Sequence, residues 1–334
     1  MLDINDTFVV KKYQYKRVTK HKKETPIMIR NFLFHRVNPQ RDPLWDPMDV
    51  RLFEKCIKYI STKYEVVLFE DLAFDKNAMS KKNRFATIMF DDGYKDNIEY
   101  ALPILEKYKI KASFYVVTDC IDKNIPTWTH ILEHSFQYTN KTKIELPYEF
   151  LPIEFRSCEF SSKEERLKFV SSLKPFLKTI LHDKREIVLA SVMEEFSDIE
   201  LPKLMMNWDD VRKLKELGHY IGSHTQTHSM LGTMEKESDI ERELQESGNK
   251  IKSQLGYFPL TISYPVGSFD EKTKTISQKI GYKIGLAVKQ DIFNPIKEDL
   301  FEVSRIELYN EPWLKTKMRI SNSLENIKKI IHYR

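Results

Sequence analysis

Residues 84–93 read RFATIMFDDG, an apolar run that ends in two adjacent carboxylates, Asp91 and Asp92, before Gly93 turns the chain. Alternating large apolar side chains in such a run predict a buried strand. Two like charges at the mouth of a strand repel each other unless a positive group lies beside them. The stretch therefore predicts a central strand with a charged site at its carboxyl end.

A second stretch, GSHTQTH at positions 222–228, offers the positive partner. His224 and His228 are four positions apart, so both imidazoles can face one side of a helical turn or tight loop and bind one divalent ion. One Asp and two His leave a coordination position for water, as in a catalytic metal site. Alone, Asp91-Asp92-Gly93 could equally be a capping turn and the two His could be exposed.

Apolar bursts alternate with segments of helical periodicity along most of the chain. The bursts are 27–35, 66–69, 85–90, 112–117, 220–223, 260–264 and 284–288, and the helical segments include 49–62, 96–108, 208–217, 238–255 and 270–280. This alternation predicts an α/β fold in which parallel β/α units form one sheet or barrel. Active-site residues of such barrels lie at the carboxyl ends of strands, where His35, Asp91 and His224 fall.

The domain prediction has three parts. Residues 119–206 break the alternation with helical patterns at 163–181 and 186–196, and they predict a helical insertion within one domain that covers 26–334. Residues 1–25 form a basic arm in which Lys11 to Lys23 carries many cations. A solvated arm is the favoured interpretation, and a weak contact with an anionic membrane surface is the alternative.

Composition narrows the classes of partner and compartment. The chain has 334 residues, with 54 Lys and Arg against 49 Asp and Glu, and a net charge of +5 does not indicate a nucleic-acid partner. Cys56, Cys120 and Cys158 show no CxxC spacing, which favours a reducing compartment. No signal-peptide pattern and no apolar run of about 18 residues is evident, so we expect a cytoplasmic protein.

At this point the motifs resemble those of the polysaccharide deacetylases, the nodulation-deacetylase homology group of carbohydrate esterase family four. FDDG at 90–93 is similar to the first family motif and SHTQTH at 223–228 to the second. The resemblance spans about 26–308 and implies a distorted (β/α)7-type barrel with parallel strands. It also implies that Asp91 is the general base and that Asp92, His224 and His228 bind Zn²⁺ or another divalent transition metal.

The third family motif resembles SYPVG at 263–267, which implies that the backbone amide of Val266 helps to hold the oxyanion. The family motif usually opens with an Arg that steadies the base, and Ser263 stands there in this chain. Arg305 is a candidate replacement, although a surface ion pair is the favoured interpretation of it. Tyr264 and Arg305 are also predicted to contact the sugar.

The general acid departs from the usual family pattern, because the carboxyl-terminal region at 285–289 reads GLAVK and contains no His. FLFHRV at 32–37 resembles the amino-terminal strand motif of the circularly permuted branch, which contains poly-N-acetylglucosamine deacetylases. The resemblance implies that His35 protonates the departing amine, and a half-buried structural His is the alternative. His130 and His134 repeat the four-residue spacing without a carboxylate at a strand end, and we expect no metal there.

The predicted function is metal-dependent removal of an N-acetyl group from an amino sugar in a surface polysaccharide or its precursor. Because no export signal is evident, a nucleotide-linked or lipid-linked sugar is the expected carbohydrate partner. Two alternatives stay open at this stage. A deformylase or other amide hydrolase would use the same residues, and a sugar-binding module with a decayed site would explain the missing motif residues.

Overall fold

The computed structural model describes residues 28–74 and 84–324. The basic arm predicted at 1–25, with its membrane contact, lies outside these residues. Eight strands form a parallel main sheet, and two form an antiparallel hairpin. The strands of the main sheet are β1 (Arg30–Phe34), β2 (Glu65–Val66), β3 (Phe85–Phe90), β4 (Ser113–Val116), β7 (Tyr220–Ser223), β8 (Thr261–Ser263), β9 (Ile284–Leu286) and β10 (Ile306–Glu307), and the hairpin is β5 (Lys143–Glu145) with β6 (Ser157–Glu159).

The main sheet follows the order β10-β1-β3-β4-β7-β8-β9, with β2 paired to β3. Its two ends approach each other, because Phe32 of β1 pairs with Ile306 while Val303 forms a parallel bridge to Leu286 of β9. The sheet therefore curls into a distorted β/α barrel, as the sequence predicts. All carboxyl ends of its strands point to one face.

Helices cover the outside of the curled sheet and form most of the insertion. They are α1 (Val50–Lys63), α2 (Phe69–Phe74), α3 (Leu102–Lys107, preceded by a π-helical turn at Asn97–Ala101), α4 (Thr118–Lys123), α5 (Trp128–Tyr138), α6 (Ile153–Arg156), α7 (Lys163–Leu177), α8 (His182–Glu195), α9 (Trp208–Glu216), α10 (Glu237–Leu255), α11 (Glu271–Ile280) and α12 (Trp313–Ile320). Within the described ranges, no helix has the length and apolarity needed to cross a bilayer.

Strand β3 lies inside the main sheet, between β1 and β4, and all six of its side chains are buried. Phe90 stacks on Phe114 of β4 with ring centroids 4.8 Å apart, and Phe34 of β1 packs against its other side. A mostly apolar strand that is buried along its whole length is typical of a parallel sheet covered on both faces. The apolar packing fixes the end of β3, and therefore the position of the two carboxylates that follow.

The insertion has an apolar core separate from that of the barrel, built around Phe136, Phe169 and Val188. The sequence predicts helices at 163–181 and 186–196, and the structure has α7 and α8 there, together with three further helices and the hairpin. Those short elements escape prediction because four-residue and three-residue segments show no clear periodicity. The burst at 66–69 is also only partly a strand, since β2 ends at Val66.

Candidate active site

Four strand ends deliver the side chains of the candidate site to one face of the barrel. His35 follows β1, Asp91 follows β3, His224 follows β7, and Val266 lies in the turn after β8. These residues surround a cavity of about 330 Å³, a volume that suits a small ligand. Six residues predicted from the sequence line it, namely His35, Asp91, Asp92, His224, His228 and Val266.

Asp92, His224 and His228 bring three ligand atoms within 4.8 Å of one another, and all three side chains are buried. Asp92 Oδ1 lies 3.3 Å from the Nε2 atom of each His. Within the part of the chain that the structure describes, this buried oxygen nevertheless has no hydrogen-bond partner. Converging buried lone pairs without donors fit a cation, and one carboxylate with two imidazoles suits a transition metal.

The ring of His224 is oriented by a backbone contact. Its Nδ1 lies 2.8 Å from the carbonyl oxygen of Ser263, which can only accept a hydrogen bond. Nδ1 therefore carries the proton in the neutral ring, and the Nε2 lone pair points toward Asp92. This arrangement is usual for histidines that bind metals, because the carbonyl fixes both tautomer and ring orientation.

The electrostatics of the three groups reflect their proximity. Burial alone would raise the pKa of Asp92, but His224 and His228 hold it well below the ordinary aspartate value. Burial would lower the pKa of His224, but Asp91 and Asp92 raise it. Burial lowers the pKa of His228. Asp92 is therefore a buried carboxylate that stays ionised, and a cation bound beside it would stabilise that charge.

The loop that carries the two histidines is held from behind by Glu243 of α10. Its carboxylate accepts hydrogen bonds from the backbone amides of Gln226 and Thr227, at 3.1 and 2.9 Å, and from the Thr227 hydroxyl at 2.7 Å. Glu243 is buried, and burial raises its pKa although these donors oppose the shift. A buried carboxylate bridging a loop to a long helix gives the histidines a rigid support.

Asp91 has two partners that the first two motifs do not reveal. Arg305 Nη1 donates to its Oδ1 at 2.9 Å, and the Ser263 hydroxyl donates to its Oδ2 at 3.0 Å. Burial would raise the pKa of Asp91, but the Arg305 guanidinium and then His224 lower it. The carboxylate is therefore ionised at neutral pH, and each oxygen retains a free lone pair.

The predicted surface ion pair for Arg305 is wrong, and the structure also corrects its predicted contact with the sugar. Arg305 is fully buried beneath Asp91, and its Nε donates to the Ala287 carbonyl at 2.9 Å. The segment before β10 carries it to the carboxylate of Asp91. Ser263, which stands in the motif position, contributes a second hydrogen bond to the same carboxylate.

Tyr264 does not contact the cavity either. Its ring is fully buried and stacks on Phe269 with centroids 4.7 Å apart, because the turn after β8 directs it into the barrel wall. The structure therefore corrects its predicted contact with the sugar. Val266, two residues later, does line the cavity.

His35 lies at the cavity rim with 21% of its side chain exposed, and its Nδ1 is 3.3 Å from Glu307 Oε1. Its ring also meets Trp45 edge-on, with centroids 5.6 Å apart. These two contacts orient the imidazole and leave Nε2 as the nitrogen for proton exchange. Trp45 and Glu307 both line the cavity.

Backbone strain concentrates at this face. Asp92, Thr225, His228 and Val266 all have φ between 58° and 76°, a region that residues other than Gly rarely adopt. Gly93 has φ of 88°, and a Cβ there would lie 2.9 Å from the Ile121 side chain. Strained positions cluster at functional sites, where the surrounding structure must hold them in place.

His130 and His134 do not line the cavity. His130 Nδ1 lies 3.2 Å from the Tyr94 hydroxyl, and His134 Nε2 lies 3.1 Å from the Glu200 carbonyl. Among the described residues, the cluster suited to a metal comprises only Asp92, His224 and His228. Burial lowers the pKa of His130 to about 4, so its ring is neutral in the folded protein at neutral pH.

The insertion supplies cavity residues that sequence reasoning missed, namely Thr129 and Glu133 from α5 and Lys174 and Lys178 at the end of α7. Their positions depend on how the insertion folds over the barrel, and no local pattern signals that packing. Trp45, from the segment between β1 and α1, is missed for the same reason.

One family model matches this chain. A model of the family described as polysaccharide deacetylase matches residues 78–285, more than half of the chain. The chain belongs to the polysaccharide deacetylase family. Membership makes it a carbohydrate N-deacetylase, as the motifs predict. The matched segment includes Asp91, Asp92, His224, His228 and Val266, whereas His35 and Arg305 lie outside it.

Several solved structures share the fold. The Streptococcus pyogenes deacetylase PplD in complex with acetate is 17% identical, with a TM-score of 0.58 over 90% of this chain and 98% of that one. A de-N-acetylase from Aggregatibacter actinomycetemcomitans is 16% identical, with a TM-score of 0.55 and coverage of 88% and 99%. IcaB from Ammonifex degensii is 14% identical, with a TM-score of 0.56 and coverage of 89% and 98%. No curated protein matches the chain.

Proposed function

We propose that this polysaccharide deacetylase is a metal-dependent hydrolase that removes the N-acetyl group from an amino sugar of a surface polysaccharide or its precursor. The observation that carries the proposal is the convergence of Asp92, His224 and His228 around a buried, unpartnered oxygen beside a second buried carboxylate. The ion they would hold is Zn²⁺ or another divalent transition metal. When bound, such an ion polarises an amide carbonyl and lowers the pKa of water.

Asp91 is the proposed general base. Its carboxylate lines the cavity next to Asp92, and Arg305 keeps it ionised so that it can accept a proton from the attacking water. The hydrogen bonds from Ser263 and Arg305 fix its orientation without using all of its lone pairs. The two adjacent carboxylates thus have different proposed roles: Asp92 is a metal ligand and Asp91 is the general base.

Val266 and His35 are the proposed partners of the oxyanion and the leaving amine. Val266 lines the cavity in a left-handed turn, and its backbone N–H is the proposed donor to the oxygen of the tetrahedral intermediate. His35, oriented by Glu307, is the proposed general acid that gives a proton to the nitrogen as the C–N bond breaks. The products are acetate and the free amino sugar.

The test combines metal analysis with acetate release. Purified protein should contain one metal ion per chain, and chelation should abolish acetate release from N-acetylglucosamine oligomers until Zn²⁺ is restored. His228→Gln should lose the ion, whereas His134→Gln, from the second pair of histidines, should retain it. An N-formylated substrate tested in parallel identifies the preferred acyl group.

The Asp91→Asn variant separates binding of the ion from the chemistry. It should bind the ion but release acetate more slowly by a factor on the order of 100 to 10,000, because general base catalysis contributes that much. Asp209→Asn, at an exposed position on α9, is the matched control and should be fully active. Near-full activity of Asp91→Asn would show that the base is misassigned.

A further inference from the structure

The insertion contributes two cations to the cavity through α7 and the residue that follows it. Lys174 Nζ forms an ion pair with Glu133 of α5, so its charge is compensated within the insertion. Lys178 caps the carboxyl end of α7 and also lines the cavity. Its side chain is partly buried. The two lysines therefore differ in whether a carboxylate accompanies them.

Each carboxylate that lines the cavity already has a side-chain partner within 3.3 Å. Asp91 pairs with Arg305, Glu133 with Lys174, and Glu307 approaches His35. Asp92 lies between the two histidines of the candidate metal site. Among the described residues, Lys178 has no carboxylate within ion-pair distance, so its ammonium group has no direct counter-ion in the cavity.

A partly buried ammonium without a direct counter-ion is costly, because burial removes part of its hydration. Burial, followed by repulsion from Lys174, lowers the pKa of Lys178, while the more distant charges of Glu133, Glu307 and Asp92 oppose the shift only in part. An anion bound beside the amine would reverse both effects. A neutral sugar hydroxyl would provide a hydrogen bond but no compensating charge.

We propose that Lys178 binds an anionic substituent, a phosphate or a carboxylate, on or next to the N-acetylated amino sugar in the active-site cavity. The inference rests on the proposed function, and it adds a charge requirement to the substrate. Phosphate would come from a nucleotide- or lipid-linked precursor, and carboxylate from an acidic sugar of a polymer. A polymer of free amino sugars, which is cationic, would be repelled by the same lysine.

The test compares anionic and neutral substrates with two lysine variants. The substrates are N-acetylglucosamine 1-phosphate, UDP-N-acetylglucosamine, a disaccharide of N-acetylglucosamine with glucuronic acid, and neutral chitotetraose. Lys178→Gln should raise KM for the anionic substrates by about ten- to a hundredfold, the effect of losing one charge-assisted hydrogen bond, and leave KM for chitotetraose unchanged. Lys178→Arg should restore much of the loss.

Lys168→Gln is the matched control, because Lys168 lies on the same helix and is exposed. It should leave all KM values unchanged. Equal effects of Lys178→Gln on charged and neutral substrates, or no effect on either, would overturn the inference while the deacetylase activity stands. The substrate class whose KM rises in Lys178→Gln, phosphate-bearing or glucuronate-bearing, identifies the source of the anion.

A binding experiment keeps the inference testable if the wild-type protein releases acetate from none of these substrates, an outcome that would refute the proposed function. Titration calorimetry would then measure the affinity of N-acetylglucosamine 1-phosphate for the wild-type protein and for Lys178→Gln. Weaker binding by the variant supports the anion site, and equal affinity refutes it.

Discussion

Replacing Arg305 with Gln tests whether the buried ion pair with Asp91 organises the site. The change removes the guanidinium that donates to Asp91 Oδ1 at 2.9 Å, at a position with no exposed surface. Removing one partner of a buried pair costs about 3–5 kcal/mol, because the remaining charge is uncompensated. We therefore expect Arg305→Gln to lower the free energy of unfolding by an amount in that range.

Part of this loss does not involve Asp91. Arg305 Nε also donates to the Ala287 carbonyl at 2.9 Å, and one such hydrogen bond contributes about 1 kcal/mol. A double-mutant cycle with Asp91→Asn removes this part and isolates the interaction between the two side chains. We expect a coupling free energy of about 2–3 kcal/mol, near the upper end for residues in contact.

The assay is urea unfolding monitored by tryptophan fluorescence. A chelator is present so that no bound ion compensates the charge of Asp91. Arg319→Gln provides the matched control, since Arg319 forms a comparably buried pair with Glu311. When Arg319→Gln is combined with Asp91→Asn, the two losses in unfolding free energy should add to within about 0.5 kcal/mol. If the Arg305 cycle is additive to the same degree, the argument that Arg305 stabilises the charge of Asp91 is refuted.

Three further predictions concern the loop, the acid and the far end of the barrel. Glu243→Ala should weaken Zn²⁺ binding by about 10- to 100-fold in chelator competition, because the histidine loop loses its acceptor; unchanged affinity would exclude this support. His35→Gln should reduce kcat by about 100-fold or more without changing metal content, and equal kcat would assign the acid elsewhere. Glu70 accepts hydrogen bonds from the hydroxyls of Ser113, Tyr115 and Thr261, yet burial raises its pKa. Protonated Glu70 therefore contributes its full stabilisation below the ordinary glutamate pKa. This stabilisation is lost as the pH rises through the pKa of Glu70 in the folded protein. In urea titrations, the unfolding free energy of Glu70→Gln minus that of the wild type should thus increase between pH 4 and 7.5. A difference that stays constant over this range would contradict the raised pKa of Glu70.

The sequence predicts the barrel and its family because the relevant signals are local. Strand β3 is a mostly apolar run followed at once by the two carboxylates, and both histidines lie within a five-residue stretch after β7. Parallel topology then requires these strand ends to meet on one face. Local pattern and a general rule of topology are sufficient for this part of the site.

The position of Arg305 could not be predicted in this way. It lies 214 residues from Asp91 in the chain, and its contact depends on the segment before β10 passing between β9 and β1. An isolated Arg near a late strand resembles any surface cation, so its burial has no local signal. The one indication in the sequence is that position 263 holds Ser where the family motif has Arg. A buried, ionised base requires a nearby cation, so another residue must supply it.

The insertion was also predicted only in outline. Its longer helices show periodicity, but the placement of Lys178 over the cavity depends on packing between α5, α7 and the barrel. Charged side chains in a polar segment give no indication of which of them faces a site. The residues that we propose to select the substrate are therefore the ones least accessible to sequence reasoning.

The way the insertion is attached has a consequence for how such enzymes diversify. Its two ends are anchored at the same turn, because the Val117 amide donates to the Asp92 carbonyl at 3.5 Å and the Met206 amide to the Gly93 carbonyl at 3.0 Å. The segment between them has a core of its own. We therefore expect that a different insertion joined at this turn would leave in place the strands that carry the reacting groups. Substrate choice and chemistry can then evolve on separate parts of the chain.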